Sequence, residues 1–413
     1  MGKKSKKVEV EDVGEDIPEE LKKELTTPKT ENALNIDEID DQMENQSRFT
    51  VLTSVIKKIG FGADLTSMTV PGAFILPKSA LSYFAEYYSS YFDILLKANE
   101  IEDKQERFIQ VVKYLFTACR LPEDNMRKPL NPVLSETYEG DIIFEHEQQS
   151  DNNNKTSGED DIDDDSPDSK GASNSCTFFC EQISHHPPIS CSTVYNKEAG
   201  IYVSYHDQVK STFMGTYAKL SFEGTVRIRF DKYNEVYTGT CPSMAVRIFR
   251  SFSEYVGKSK LTVNTSSLKC KSVFHPKPLL YGSYNTFDTT IYNGKDKIFK
   301  IKGQWDEIAK ISEYKKDDYK ILWDRRTMKQ GAMRGPEVLL PTDSSIVWKG
   351  VFEADKLDSG TSAKTITKEK TKVEEAQRKI TAERKQKGEV WKPVYFEQDK
   401  NGFYFLKNYK SQN

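Results

Sequence analysis

Two histidines stand side by side in Glu181-Gln182-Ile183-Ser184-His185-His186-Pro187-Pro188, the densest chemical signal in this 413-residue chain. An imidazole can donate or accept a hydrogen bond, change charge near neutral pH, or ligate a metal. The two prolines behind the pair cannot continue a helix or the interior of a sheet ladder. His185 and His186 are therefore expected where an extended segment stops. Neighbours on a strand point to opposite faces, so both rings serve one site only if the backbone kinks there. The competing reading is a structural turn with two satisfied histidines.

Other groups narrow the chemistry. No glycine-rich phosphate loop, nucleophile elbow or zinc-protease helix is present. Cys176 and Cys180 do not stand in the usual two-pair zinc spacing with His185 and His186. A metal site is not expected, nor a cofactor, nor an enzyme. Two imidazoles joined by lysine and arginine would instead suit a phosphorylated head group, since lysine brings a compact charge and arginine a planar fork that matches phosphate. Lys370, Glu374 and Arg378 recur at i, i+4 and i+8 in a helical stretch, so Glu374 can hold both cations on one face. An exposed ladder of ion pairs would have the same spacing and would contribute little.

Charge is segregated along the chain. Residues 1–45 carry 14 acids and 7 lysines, a net −7, and residues 147–175 carry 9 acids and 2 lysines, also −7. The whole is −3, which leaves +11 on the remainder (−3 + 14). That sign fits an anionic partner, either a membrane surface or nucleic acid, and equally a solvated basic surface with no partner. No module of interleaved aromatic and basic residues points to nucleic acid. Both acidic segments are expected to be disordered, the second as a loop inserted between strands. Six scattered cysteines in a chain of this length read as cytosolic and reduced. No run is long and apolar enough for a membrane-spanning helix.

The elements follow from periodicity. Phe49, Leu52, Val55, Ile56 and Ile59 form an apolar stripe on a short helix over 47–59, with Ser47 as N-cap and Gly60 as stop. Helices are expected over 79–97 and 102–119. Residues 127–134 hold two prolines three apart and make a rigid extended corner. From 176 to about 320 short alternating runs separated by Asn and Gly turns point to an antiparallel barrel or sandwich. Such runs lie near 189–195, 201–205, 225–230, 245–252, 259–265, 286–292 and 299–302. A last helix spans 364–387 and stops at Gly388, and the aromatic tail after Trp391 is expected to dock back onto the domain.

The octapeptide closely resembles the E-Q-x-S-H-H-P-P signature of the oxysterol-binding-protein-related family. Lys128-Pro129-Leu130-Asn131-Pro132 matches that family's K-P-L-N-P motif. Lys370, Glu374 and Arg378 fall on its K-x-x-x-E-x-x-x-R helix, and Gly303-Gln304-Trp305 on its G-x-W strand end. Four motifs in the right order cover about residues 47 to 400. The resemblance implies a β-rich α+β fold: an incomplete antiparallel β-barrel around an apolar tunnel, lidded by the helix at 47–59 and flanked by helices. The lipid-binding domain would span 46–413 as a monomer. By the same resemblance Lys128, Asn131, His185, His186, Lys370, Glu374 and Arg378 bind the head group of phosphatidylinositol 4-phosphate.

A second lipid, phosphatidylserine or a sterol, would share the tunnel. Asp64 to Leu76 and Ser211 resemble the phosphatidylserine carriers. The implied activity is exchange of lipids between anionic membranes by a cytoplasmic, transiently membrane-associated carrier. A membrane-associated sensor or scaffold that binds lipid without moving it is the alternative. One departure stands out: Ser135 occupies the place where the family carries a glycine before Glu136, which puts the local backbone in question.

Overall fold

The computed structural model describes Ile39 and residues 46–407, except 60, 67, 69, 122–123, 126, 146–173, 279–280, 358 and 401. The acidic insert therefore lies outside the described residues apart from its last two. So does the acidic N-terminal segment, except for Ile39. This apolar residue is helical and buried beside Val51, Val55, Phe74 and Ala363.

The first helix, α1 (Arg48–Lys58), is capped by Ser47, whose side chain accepts a hydrogen bond from the Thr50 N–H. Gly60, the expected stop, lies outside the described residues. A single 3-10 turn (Gly72–Phe74) leads into β1 (Ile75–Ser79). The single helix expected over 79–97 is two, α2 (Ala80–Ser89) and α3 (Asp93–Asn99). The cause is local: Ser89 and Ser90 donate their hydroxyls back to the carbonyls of Ala85 and Glu86, competing with the ladder at the break. The next helix, α4 (Lys104–Thr117), is capped by the Asp103 carboxylate. The short β2 (Lys128–Leu130) pairs parallel with β1, so the proline corner becomes a small separate sheet.

The main sheet begins with β3 (Thr137–Ile143), β4 (Ser175–His185), β5 (Pro188–Asn196) and β6 (Ile201–Phe213). Then follow β7 (Tyr217–Phe222), β8 (Thr225–Phe230), β9 (Glu235–Gly239), β10 (Ser243–Arg247) and β11 (Phe252–Val263). The run expected near 245–252 is thus cut by a turn, where Ser251 takes φ +53°. The sheet continues through β12 (Leu268–Phe274), β13 (Thr286–Asn293), β14 (Asp296–Gln304), β15 (Ile308–Glu313) and β16 (Lys320–Asp324), and β17 (Ala332–Arg334) returns beside β3.

All pairings in this 15-stranded sheet are antiparallel, and its main path runs β16-β15-β14-β13-β12-β11-β10-β7-β6-β5-β4-β3-β17. Between β6 and β11 the sheet also splits through β8 and β9 and rejoins, since β6 pairs both β7 and β8 while β11 pairs both β10 and β9. The two ends, β16 and β17, do not pair with each other, so the barrel is incomplete.

The helices α2 to α4 share one apolar core with the sheet. Phe116 of α4, for example, meets Phe274 and Phe287 edge-on at 5.3 and 5.5 Å. Two short helices, α5 (Ser344–Val347) and α6 (Lys349–Ala354), precede α7 (Ser359–Gln386). The last helix starts five residues earlier than the pattern suggested, because Ala363 and Ile366 are buried at its first turns (4% and 2% exposed). It ends as expected at Gly388, with φ +69° and a Glu389 N–H to Arg384 carbonyl bond of 2.9 Å. The aromatic tail forms a hairpin of β18 (Phe396–Gln398) and β19 (Tyr404–Leu406) that packs Phe396 on Phe179, Ile183 and Cys191.

Candidate functional site

The two histidines lie at the tip of the β4–β5 hairpin. His185 pairs with Pro188, leaving His186 and Pro187 as the two turn residues, with a cis bond between them. One register earlier, Ile183 has no partner, because Gln182 faces Ser190 and Ser184 faces Ile189. This bulge and the turn together supply the kink that brings both rings to one side. The rings meet edge-on at 4.6 Å.

The other half of the octapeptide is structural. The Glu181 carboxylate accepts the N–H groups of Val394, Tyr395 and Phe396 at 2.7–3.2 Å, fixing the tail. Gln182 accepts from the Ser190 hydroxyl at 2.5 Å and donates to the Ser184 carbonyl at 2.7 Å.

His185 Nδ1 lies 3.1 Å from the Pro132 carbonyl oxygen. A carbonyl only accepts, so the ring donates from Nδ1, and in the neutral ring Nε2 is a bare acceptor. Burial holds the His185 pKa below its ordinary value. His186 and Arg378 push the same way, against the Pro132 bond and Glu374. Pro132 closes the Lys-Pro-Leu-Asn-Pro corner, so this contact ties the two motifs together.

That corner is fixed from below by Glu136. Its buried carboxylate accepts from Ser79 (2.5 Å), Ser344 (2.7 Å), the Val133 N–H and the Trp348 indole (both 2.9 Å). Ser135 takes φ +72°, the conformation for which glycine is the easy residue, so serine preserves the backbone. Its hydroxyl accepts from the Trp391 indole at 3.1 Å, a bond glycine could not make.

Helix α7 forms the opposite wall. It is seated by Gly72, whose N–H donates to Thr367 Oγ1 at 2.9 Å, and where an added Cβ would lie 2.0 Å from the Ala363 carbonyl oxygen. Lys370 Nζ is 2.7 Å from Glu374, and Arg378 is 3.6 Å from it. The ladder is only partly solvated: the Lys370 and Glu374 side chains are 12% and 21% exposed, while Arg378 is 69% exposed.

These pieces enclose a cavity of about 600 Å³ lined by Lys128, Asn131, His185, His186, Lys370, Glu374 and Arg378 together. Every head-group residue expected from the sequence is present in it. Lys128 Nζ points at the carbonyls of Leu65 and Thr66 (3.3 and 3.4 Å). Burial, with Lys370 close by, lowers the Lys128 pKa to about 8. Met68, Ile75, Leu134 and Ile183 form an apolar side to the same space.

Sequence reasoning missed Lys385, Gln377 and Thr381, which line the cavity from α7. Their signal was available, since Lys385 stands seven residues, two helical turns, beyond Arg378. Counting Lys385, four cations face one carboxylate before either histidine is charged. Thr66 and Trp391 were also missed and line the same cavity.

Ser211 is not among the cavity-lining residues. It is 7% exposed and lies behind Thr66, with its N–H donating to Thr66 Oγ1 at 2.8 Å and its carbonyl accepting from the Leu65 N–H at 2.8 Å. The stripe of α1 does not line the cavity either. Val51 and Val55 pack on Phe74 and Ala363, Ile56 packs on Phe213, and Leu52 and Ile59 are partly buried beside them. The side chain of Phe49 lies outside the described residues. The segment that follows α1 supplies Thr66, Met68 and Val70 to the cavity wall.

A family model described as oxysterol-binding protein matches residues 51–413. Oxysterol-binding protein 1 of Dictyostelium discoideum is 44% identical over 403 residues, spanning 96% of either chain. Protein kes1 of Schizosaccharomyces pombe is 27% identical, over 87% of this chain and 89% of that one. Among solved structures, the Osh1 ORD domain in complex with ergosterol superimposes with a TM-score of 0.62 at 21% identity, over 88% of this chain and 87% of that one. The Osh3 ORD of Saccharomyces cerevisiae in complex with PI(4)P gives 0.56 at 16% identity, over 92% and 91%. Fold, motifs and identity agree: the chain belongs to the oxysterol-binding protein family.

Proposed function

We propose that this protein binds phosphatidylinositol 4-phosphate with its phosphorylated inositol in the basic cavity, and exchanges it between membranes for a second lipid. The carrying observation is the convergence of Lys128, Asn131, His185, His186, Lys370 and Arg378 on one partly buried space with an apolar side. Desolvating a phosphate is costly unless its charge is paired, and this wall supplies cations and donors for it. The acyl chains would extend into the barrel behind α1, where each buried methylene contributes ~0.8 kcal/mol. The head group is held without a bond being made or broken, so the protein acts as a carrier and not as an enzyme. It works from the cytoplasm, as a monomer that visits anionic membrane surfaces transiently.

The second lipid is phosphatidylserine or a sterol. Docking of Leu65 and Thr66 on Ser211 supports the former, because it couples that serine to the cavity wall. Extraction from liposomes offering phosphatidylinositol 4-phosphate, phosphatidylserine and sterol, each then omitted in turn, tests both parts. Mass spectrometry of the bound lipid should return intact phosphatidylinositol 4-phosphate and one of the other two. Recovery of no phosphoinositide, or of a hydrolysed one, would overturn the proposal.

A further inference from the structure

The outer face of strands β11 to β15 carries a lattice of lysines that the lipid cavity does not use. Register aligns Lys258, Val273, Asp288, Lys302 and Lys310 across neighbouring strands. One rung along, Lys260, Lys271, Thr290 and Lys300 align. The next rung holds Lys269, Tyr292 and Lys297.

Two of these alignments set lysine directly opposite lysine, Lys260 against Lys271 and Lys302 against Lys310. Like charges in that position destabilise a sheet, so the fold gains nothing from them. The one acid in these rungs, Asp288, is engaged by His275 at 2.7 Å. Lys300 pairs with Asp317. Among the described residues Lys258, Lys260, Lys271, Lys302 and Lys310 have no carboxylate within ion-pair distance, and all five are exposed.

Apolar groups are set among the charges. Val273 (37% exposed) lies within the first rung, and Ile321 (63% exposed) pairs with Lys310 at its end. Tyr319 lies beneath the Lys302 ammonium at 4.1 Å. There is no arginine in the three rungs, hence no fork for reading a particular phosphate or base. A broad field of point charges with interspersed apolar side chains fits a fluid anionic bilayer better than a polynucleotide, whose single-stranded forms are held by aromatic stacking platforms. The cavity lies at the β4–β5 tip, several strands away along the sheet path.

We infer that this lysine face is a membrane-docking surface that binds anionic lipid bilayers through their surface charge, independently of the head-group cavity. The inference deepens the membrane part of the proposed function and rests on it. The docking is electrostatic, so it weakens as salt shortens the screening length.

The full chain is tested by flotation with vesicles of phosphatidylcholine containing phosphatidylglycerol, an anionic lipid that is neither proposed cargo. Wild type should float in low salt and be released by 0.5 M salt, an ionic strength at which charges more than roughly 4–5 Å apart are screened. Combined K260Q, K271Q, K302Q and K310Q should weaken partition at least about tenfold. The H185A/H186A protein should float like wild type. Each single variant at an opposed pair, such as K260Q, should also raise Tm by relieving repulsion, which shows that the fold survives.

A quadruple variant that floats like wild type would overturn the lysine face while leaving membrane docking intact. A wild type that binds no anionic vesicle would remove the membrane reading itself. Equal loss of flotation in H185A/H186A would place docking at the cavity and also overturn the inference. Retention on RNA or an acidic peptide without vesicle binding would give the face to another partner.

Discussion

At the scale of the residue, the site is governed by where protons sit before ligand arrives. His185 spends its Nδ1 proton on Pro132, so it can donate to a phosphate only from a protonated Nε2. Its ring faces His186, Glu374 and Arg378, and burial keeps its pKa below the ordinary value. Head-group binding should therefore take up a proton and strengthen as pH falls toward and below 6.5. Titration with glycerophosphoinositol 4-phosphate from pH 5.5 to 8 should give that slope, and H185N should reduce it, leaving the part near pH 8 that Lys128 contributes. A flat profile in wild type would remove His185 as a charged donor.

Lys128 makes the complementary case. Its pKa near 8 in the folded chain, against about 10.5 in the unfolded one, means the cost of burying the ammonium is fully present below pH 8. That cost is relieved as pH rises from 8 to 10.5. Lys128→Met should thus stabilise the empty protein at pH 7 by up to about 3 kcal/mol, a gain that fades through that window, while abolishing phosphoinositide binding. Paired thermal melts at pH 7 and pH 10 check the sign; a destabilised variant at pH 7 would contradict it.

At the scale of the element, the site is the meeting of a hairpin tip, a proline corner and a helix face. The contact that seats α7 is Gly72, where a methyl group would collide with the Ala363 backbone. Gly72→Ala should cost about 1–3 kcal/mol and displace Lys370 from the histidines. Denaturant melts and phosphoinositide extraction should fall together, whereas loss of stability with full extraction would show that α7 is seated some other way.

Much of this was legible in the sequence because the signals are local: the proline pair behind His186, the i, i+4, i+8 spacing on α7, and the Ser47 and Gly388 boundaries. What was not legible depends on contacts that hydrophobic periodicity does not record, most of them with partners distant in sequence. The break after Ser89 is set by two serine back-bonds that periodicity does not register. The early start of α7 is set by burial of Ala363 and Ile366. The position of Ser211 behind Thr66 needed the β6 pairing, as did the lid stripe's contact with Phe213 and not with the cavity. Ser135 shows the reverse case, where an unexpected residue keeps the expected positive φ.

At the scale of the molecule, the barrel sets two basic surfaces apart, one folded into a cavity and one spread on the outer sheet. The sheet is left open between β16 and β17, and its core is shared with α2 to α4. Under the proposed function, membrane docking and head-group binding would then vary independently. The central claim is that His185 and His186 hold the phosphorylated head group. Its most direct test is extraction of phosphatidylinositol 4-phosphate from liposomes by wild type and by H185A/H186A, with thermal melts alongside. The account predicts extraction by wild type and loss of at least about tenfold in the double variant, which stays folded with a Tm lowered by only about a few degrees for the lost Pro132 bond. A folded double variant that extracts as much as wild type would contradict it.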